Sequence, residues 1–220
     1  MSITQLHPSI VANLPESDPG VYERRMAAEQ FVRDSFKYHY QADVEHFMPT
    51  LLSLSDVHDQ LQAVLGFRRA GKSPLFLEHY LDQPVEQVLA NRLQTPVDRS
   101  SLVEVGNLAV SASGGGRWLI TALTAYLSAI QAEWALFTIG SAMLNAFRRL
   151  GLEPVELAEA RQDRLPAREQ RSWGSYYAQK PRVMAGNVAH GYTVLSALCE
   201  KESALKDLWR GALAIGGQAA

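Results

Sequence analysis

Between Glu104 and Arg117 the chain reads Glu-Val-Gly-Asn-Leu-Ala-Val-Ser-Ala-Ser-Gly-Gly-Gly-Arg, and these residue types can do chemistry together. An apolar run ending at Leu108, Ala109 and Val110 leads into Gly114, Gly115 and Gly116, and an apolar helical pattern begins at once. Glycines let backbone amides approach a ligand closely, and the first N–H groups of a helix are unpaired. A strand, a glycine turn and a helix N-terminus therefore make an anion site. Arg117 adds a fork of charged donors suited to phosphate. The expected chemistry is the holding of a phosphate-bearing ligand. Glu104, on the same strand, is a candidate general base, because a partly desolvated carboxylate can take a proton from an amine through a water. Facing solvent, or paired with an arginine, it would have no such role. Asn107 also has two readings: a ligand contact at the side of a bulge, or a buried and satisfied amide.

Further along, Trp173, Tyr176 and Tyr177 cluster after a charged segment. They either wall an acyl or amine pocket or cap the core. Glu78 and His79 are adjacent only in sequence, and neighbours on a strand point to opposite faces, so no dyad is expected there. The histidines (His7, His39, His46, His58, His79 and His190) are scattered without metal-ligand spacing, and no metal site is expected. There is no Gly-x-Ser-x-Gly and no Walker pattern. The single cysteine, Cys199, lies in an apolar helical pattern and reads as core packing; the scaffold does not look built for an oxidising compartment.

The composition bounds these readings. Of 220 residues, 47% are hydrophobic and 20% charged, as expected of a folded domain with a full core. A net charge of -2 without a basic block argues against generic nucleic-acid binding; Arg68-Arg69 and Arg148-Arg149 are only pairs and read as solvated charge. No stretch approaches the roughly 18 apolar residues of a membrane span, and the first 20 residues carry no apolar run of a signal peptide. A cytoplasmic location and no integral membrane segment are the expectation.

These residues must be positioned by the elements around them. Residues 1–20 read as an extended arm. Val21 to Phe36 has helical spacing, and a looser aromatic segment runs on through Tyr38, Tyr40 and Phe47. Leu51–Ser55 and Leu61–Arg69 read as a hairpin, Leu75–Leu81 is ambiguous, and Pro84–Leu93 is a helix with proline at its start. Leu102–Val110 is a strand, Arg117–Ala132 a helix, Trp134–Ile139 a central strand, and Ser141–Leu150 a helix capped by Ser141 and stopped by Gly151. Val155–Ala158 and a segment near Val183 are strands, with Arg161–Arg171 between them as a charged surface excursion. Val188–Ala214 reads as a closing helical segment with a break at Gly191. We therefore expect an arm (residues 1–20), a mixed α/β domain (residues 21–187) and a helical segment (residues 188–220) packed on that domain.

This order, with its strand, glycine turn and helix at residues 108–132, resembles the GNAT acyltransferase fold. The resemblance implies a mixed, mostly antiparallel central sheet, a central strand splayed from its neighbour, and helices on both faces. It also implies that the pantetheine arm of an acyl thioester pairs with Leu108, Ala109 and Val110 while its phosphates sit on Gly114 to Arg117. The usual loop glycines fall on Trp118 and Ile120, and the tyrosine that often protonates the leaving thiolate is replaced by Phe147. A closer resemblance, over about residues 30–192, is to the thermostable hemolysin family. It is carried by Phe76-Leu-Glu-His-Tyr-Leu81, Glu104-Val-Gly-Asn-Leu-Ala109, Asn145-Ala-Phe-Arg-Arg-Leu-Gly-Leu152 and Trp173-Gly-Ser-Tyr-Tyr177. Asn145 joins the expected carrier-binding set by that resemblance. The family is similar to autoinducer synthases, whose Glu-x-x-Arg pattern is here Glu104 to Asn107. The resemblance implies acyl transfer from coenzyme A or acyl-carrier-protein phosphopantetheine to an amine of a small molecule, with acyl carrier protein as a partner. The rival expectations are a membrane-lytic toxin, as the family name implies, and a thioester-binding protein without turnover.

Overall fold

The runs around Leu102–Val105 and Trp134–Phe137 are almost wholly apolar, and such strands are stable only when covered on both faces. In the computed structural model, which describes residues 6–12, 19–71, 73–111 and 115–219, they lie side by side at the centre of one seven-stranded sheet. The strands are β1 (His7–Ala12), β2 (Thr50–Ser55), β3 (Leu61–Arg69), β4 (Leu102–Val110), β5 (Trp134–Ile139), β6 (Val155–Glu159) and β7 (Arg182–Asn187). Their order is β1-β2-β3-β4-β5-β7-β6. β4 and β5 pair in parallel across a helical crossover, and the other pairings are antiparallel.

Seven helices complete the described chain: α1 (Pro19–Tyr40), α2 (Val85–Leu93), α3 (Gly115–Ala129), α4 (Ser141–Arg149), α5 (Ala167–Ser172), α6 (Val188–Cys199) and α7 (Ser203–Ala219). α3 carries Leu119, Ile120, Leu123 and Leu127 onto one sheet face, where they meet Val103, Val105, Phe137 and the apolar residues of α6 and α7. The opposite face is covered at one end by α1, through Val32 and Phe36, and at the other by α2 and the 3-10 turn Phe76–Tyr80. A mixed, mostly antiparallel sheet with helices on both faces is the architecture expected from the sequence.

Several boundaries differ, each for a local reason. The extended arm contains β1, which pairs along β2 from His7 opposite Ser55 to Ala12 opposite Thr50 and so extends the sheet edge. The ambiguous segment is the 3-10 turn, closed by Leu81 N–H donating to the Glu78 carbonyl. The closing helical segment breaks at residues 200–202, between α6 and α7, while Gly191 stays inside α6, where a β-carbon would sit 3.2 Å from Thr124 Cγ2 of α3. The charged excursion contains α5. Gly151 adopts the left-handed conformation (φ 77°) that stops α4, as expected, but the cap position is Gly140 rather than Ser141. Cys199 is buried, and burial pushes its thiol up to about 11, which fits packing rather than reactivity.

Candidate functional site

β4 and β5 are joined over only four residue pairs, from Leu102 opposite Trp134 to Val105 opposite Phe137. Beyond them β4 continues to Val110 and β5 to Ile139 without pairing to each other, so the sheet opens between its two central strands. A bulge on β4 marks the opening: Gly66 lies opposite Gly106 and Val64 opposite Ala109, leaving Asn107 and Leu108 against Leu65 alone. Asn107 takes the left-handed conformation (φ 50°), which asparagine tolerates better than most residues.

The Asn107 side chain is engaged within the protein. Its Oδ1 accepts from Met48 N–H at 2.8 Å, and its Nδ2 donates to the His46 carbonyl at 3.2 Å. Asn107 is half-buried and lines the opening, and its amide fixes the segment before β2 there. Met48 then lies across two facing glycines. A β-carbon at Gly66 would come within 2.5 Å of Met48 Cβ, and one at Gly106 within 2.9 Å of Met48 Cε. From α1, Arg25 donates to the carbonyls of Met48 and Pro49, anchoring the same segment.

Glu104 is 2% exposed, and both its oxygens are engaged. Arg68 Nε and the Phe76 and Leu77 amides donate to its two oxygens at 2.7, 3.1 and 2.7 Å. It ties β4 to β3 and to the turn Phe76–Tyr80, and of its two sequence readings the geometry favours the arginine pair. Glu78 does similar work nearby. Burial opposes its charge, but Arg99 and the Val85 and Leu75 amides hold its carboxyl down at about 2. His79 turns away and meets the Phe76 carbonyl, so the adjacent pair forms no dyad.

A cavity of about 660 Å³ occupies the opening. Its lining comes from both sheet faces, so it runs between β4 and β5 through the sheet. On the α3 side it is apolar, bounded by Leu119, Ile120, Leu123, Phe137, Met143 and Phe147. Phe147 stacks on Phe137 with ring centroids 4.9 Å apart and carries no proton to give. On the other side the walls are aromatic and charged. Trp173, Tyr176 and Tyr177 form one wall with Phe36, Tyr40 and Phe76, their rings packed edge-on or tilted against one another. Tyr176 donates to the Thr138 carbonyl at 3.1 Å, just past the last residue of β5 that pairs with β4. The Tyr80 and Tyr177 hydroxyls share a hydrogen bond of 2.5 Å. Burial pushes the Tyr177 phenol up to about 12, opposed by the Tyr80 hydrogen bond and helped by the charge of Glu169. Burial raises Tyr80 and Tyr176 as well, so the wall holds neutral hydroxyls. The Trp173 Nε1 donor is buried without a partner among the described residues, a group that a bound acceptor atom would satisfy.

The wall is held by Gly174 (φ 48°), where any β-carbon would meet the Tyr40 carbonyl at 2.2 Å, and by Ser175 N–H donating to that carbonyl. The mouth is lined by Asp43, Glu45 and His46 from the segment after α1 and by Arg168, Glu169 and Arg171 from α5. Arg168 pairs with Glu45 at 2.8 Å, and His46 Nε2 lies 3.5 Å from Glu169 Oε1.

Of the residues singled out by sequence, Glu104, Asn107, Leu108, Trp173, Tyr176 and Tyr177 meet at this cavity. Ala109 and Val110 continue the open edge of β4 but lie outside the lining. Gly115 and Gly116 begin α3, while Gly114 lies outside the described residues. Arg117 is held by Glu202 at 3.1 Å, in a two-pronged pair that joins α3 to the chain before α7. Asn145 is exposed on α4, away from the lining formed by Ala142, Met143 and Phe147. The mouth residues of the 43–48 segment and of α5 carry no signal in the sequence, because each run reads as ordinary solvated charge. Their nearness to the aromatic residues is the one local hint. Among the described residues no cluster of metal ligands occurs, and no helix is long and apolar enough to cross a membrane.

A family model described as thermostable hemolysin matches residues 20–192. No curated protein matches the chain by sequence. Among solved structures, FeeM, an N-acyl amino acid synthase from uncultured soil microbes, superimposes with a TM-score of 0.54 at 14% identity, over 86% of this chain and 94% of that one. The AHL synthase LasI gives 0.58 at 11% identity, over 87% and 95%. BjaI, a coenzyme A-dependent acyl-homoserine lactone synthase solved with SAM and isopentyl-CoA, gives 0.57 at 13% identity, over 90% and 89%. The chain shares their fold over nearly its whole length.

Proposed function

We propose that this chain, which belongs to the thermostable hemolysin family, is an acyltransferase that moves an acyl group from a thioester carrier to the amine of a small molecule. The observation that carries this reading is the opening between β4 and β5, with an unpaired strand edge beside a cavity whose two sides differ in chemistry. The edge of β4 that faces away from β3 along Leu108, Ala109 and Val110, where β5 no longer pairs, suits the amide groups of a pantetheine arm. The α3 side of the cavity suits an acyl chain, since its lining offers only apolar contacts. The carrier is coenzyme A or an acyl carrier protein. Its phosphates would lie at Gly114, Gly115 and Gly116, with Arg117 turning from Glu202 toward them and Asn145 meeting the part of the carrier outside the cavity.

The acceptor amine enters from the charged mouth and lies against Trp173, Tyr176 and Tyr177. The name of the structural neighbour FeeM, an N-acyl amino acid synthase, supports an acceptor that also carries a carboxylate. Arg171, which makes no ion pair or hydrogen bond among the described residues, is available to hold one. Glu104 is assigned a positioning role: its three donors keep the turn Phe76–Tyr80 and Arg68 in place along the opening.

The reading is tested by incubating the purified protein with acyl-coenzyme A and acyl-carrier-protein thioesters of graded chain length, together with a mixture of amino acids. Free thiol should appear with an N-acyl product detectable by mass spectrometry. Absence of both, together with no thioester binding by calorimetry, would overturn it.

A further inference from the structure

An amine that reaches this cavity as an ammonium ion cannot attack a thioester until it loses a proton, and a base for that step needs a free lone pair within reach. Glu104 is poorly suited to it: three of the four lone-pair positions of its carboxylate are taken, two of them on Oε2, and its side chain is 3% exposed. Protonating it would also break its pair with Arg68. Glu169 presents the opposite case. Its carboxylate lines the same cavity, its side chain is 23% exposed, and the nearest imidazole nitrogen, His46 Nε2, stands at 3.5 Å, beyond a good hydrogen bond. The His46 side chain is 74% exposed and so reaches solvent. The same residue is fixed at the opening, because its carbonyl accepts from Asn107 of the β4 bulge at 3.2 Å. A line of contacts therefore runs from the open strand edge through His46 to Glu169.

We infer that Glu169 is the general base of the acyl transfer and that His46 relays its proton to water. This rests on the acyltransferase reading. Glu169 attracts the ammonium of the acceptor and removes one proton, which passes through a bridging water to His46 and on to solvent. The neutral nitrogen attacks the thioester carbonyl carbon, the N–C bond forms and the C–S bond breaks. The second proton leaves the nitrogen as the amide forms and is taken up by the departing thiolate. Charged and titratable groups facing this pair are Asp43 and Glu45 from the segment after α1, Arg168 and Arg171 from α5, and Tyr177 across the cavity.

The test uses the full chain with dodecanoyl-coenzyme A and two acceptors, the amino acid mixture, whose α-amines are ammonium ions at pH 7, and hydroxylamine, which is already neutral there. Glu169→Gln should lower the rate with amino acids about 100-fold or more, the usual scale of a general base. It should keep the rate with hydroxylamine within about threefold, and Glu169→Asp should restore part of the loss. Thioester binding and melting temperature should not move. An equal loss with both acceptors, or no loss with either, in a protein whose unsubstituted form turns over, would overturn this assignment alone. No turnover by the unsubstituted protein with any acceptor would remove the acyltransferase reading, and this one with it.

Discussion

The two sides of the cavity are built by opposite means. The α3 side is made of regular elements, β5, α3 and α4, whose apolar side chains recur at strand and helix spacing. The charged side comes from the irregular stretch at residues 41–48 and the short α5, segments with few apolar anchors and many ions. Labour is divided accordingly. In the proposed reaction, regular elements would supply a rigid volume that accepts a chain by size, and irregular segments the polar groups that choose and activate a partner. The same contrast separates the two carboxylates, Glu104 locked in the sheet and Glu169 held loosely at the mouth.

The most direct challenge to this contrast is to remove each carboxylate in turn. Glu104→Ala leaves Arg68 and two amides without their acceptor, and removing one partner of a buried pair costs about 3–5 kcal/mol. In a chain of this size that corresponds to a fall in Tm of roughly 10 °C. Glu169→Ala should change stability by only about 0.5 kcal/mol. Equal shifts in thermal denaturation would erase the distinction.

The apolar side can be tested by filling it. Leu123→Trp should cut kcat/KM for long acyl chains by about 10- to 200-fold, the scale on which apolar pockets discriminate by size, and spare short ones. A uniform loss at all lengths would mean that the chain lies elsewhere. Gly66→Ala presses on Met48 Cβ and should destabilise by about 1–3 kcal/mol in denaturant titrations. A neutral result would show that the 46–48 segment is free to lift from the sheet.

The carrier end should respond least. The Arg117–Glu202 pair is partly exposed, so Glu202→Gln should alter stability by less than about 1 kcal/mol. By freeing Arg117 it should tighten coenzyme A binding about two- to fivefold in calorimetry, an electrostatic gain of tenths of a kcal/mol to about 1 kcal/mol at a surface. No change would remove Arg117 from the phosphate site.

Much of this molecule is set by local pattern. Leu102–Val110 and Trp134–Ile139 are legible to the residue as strands because each is a short apolar run bounded by polar residues, and Gly151 ends α4 because its left-handed conformation is a local property. The aromatic residues at 173–177 can be read as a pocket wall or as core caps, and they are both, since one face of the cluster packs on Phe36 and the other bounds the cavity.

The elements and the faces they bury are written in the chain, because apolar spacing is a relation among neighbours. Where the polar groups find partners is settled by the packed fold alone. Arg68 fills Glu104 from 36 residues away, Arg168 meets Glu45 across 123, and Glu202 holds Arg117 across 85. The bulge at Asn107 and the bare patch under Met48 likewise arise only when two strands and a distant loop come together. A hydrogen bond or an ion pair depends on distance and direction in space, so its partner is chosen by how the strands and helices pack and leaves no periodic trace in the chain.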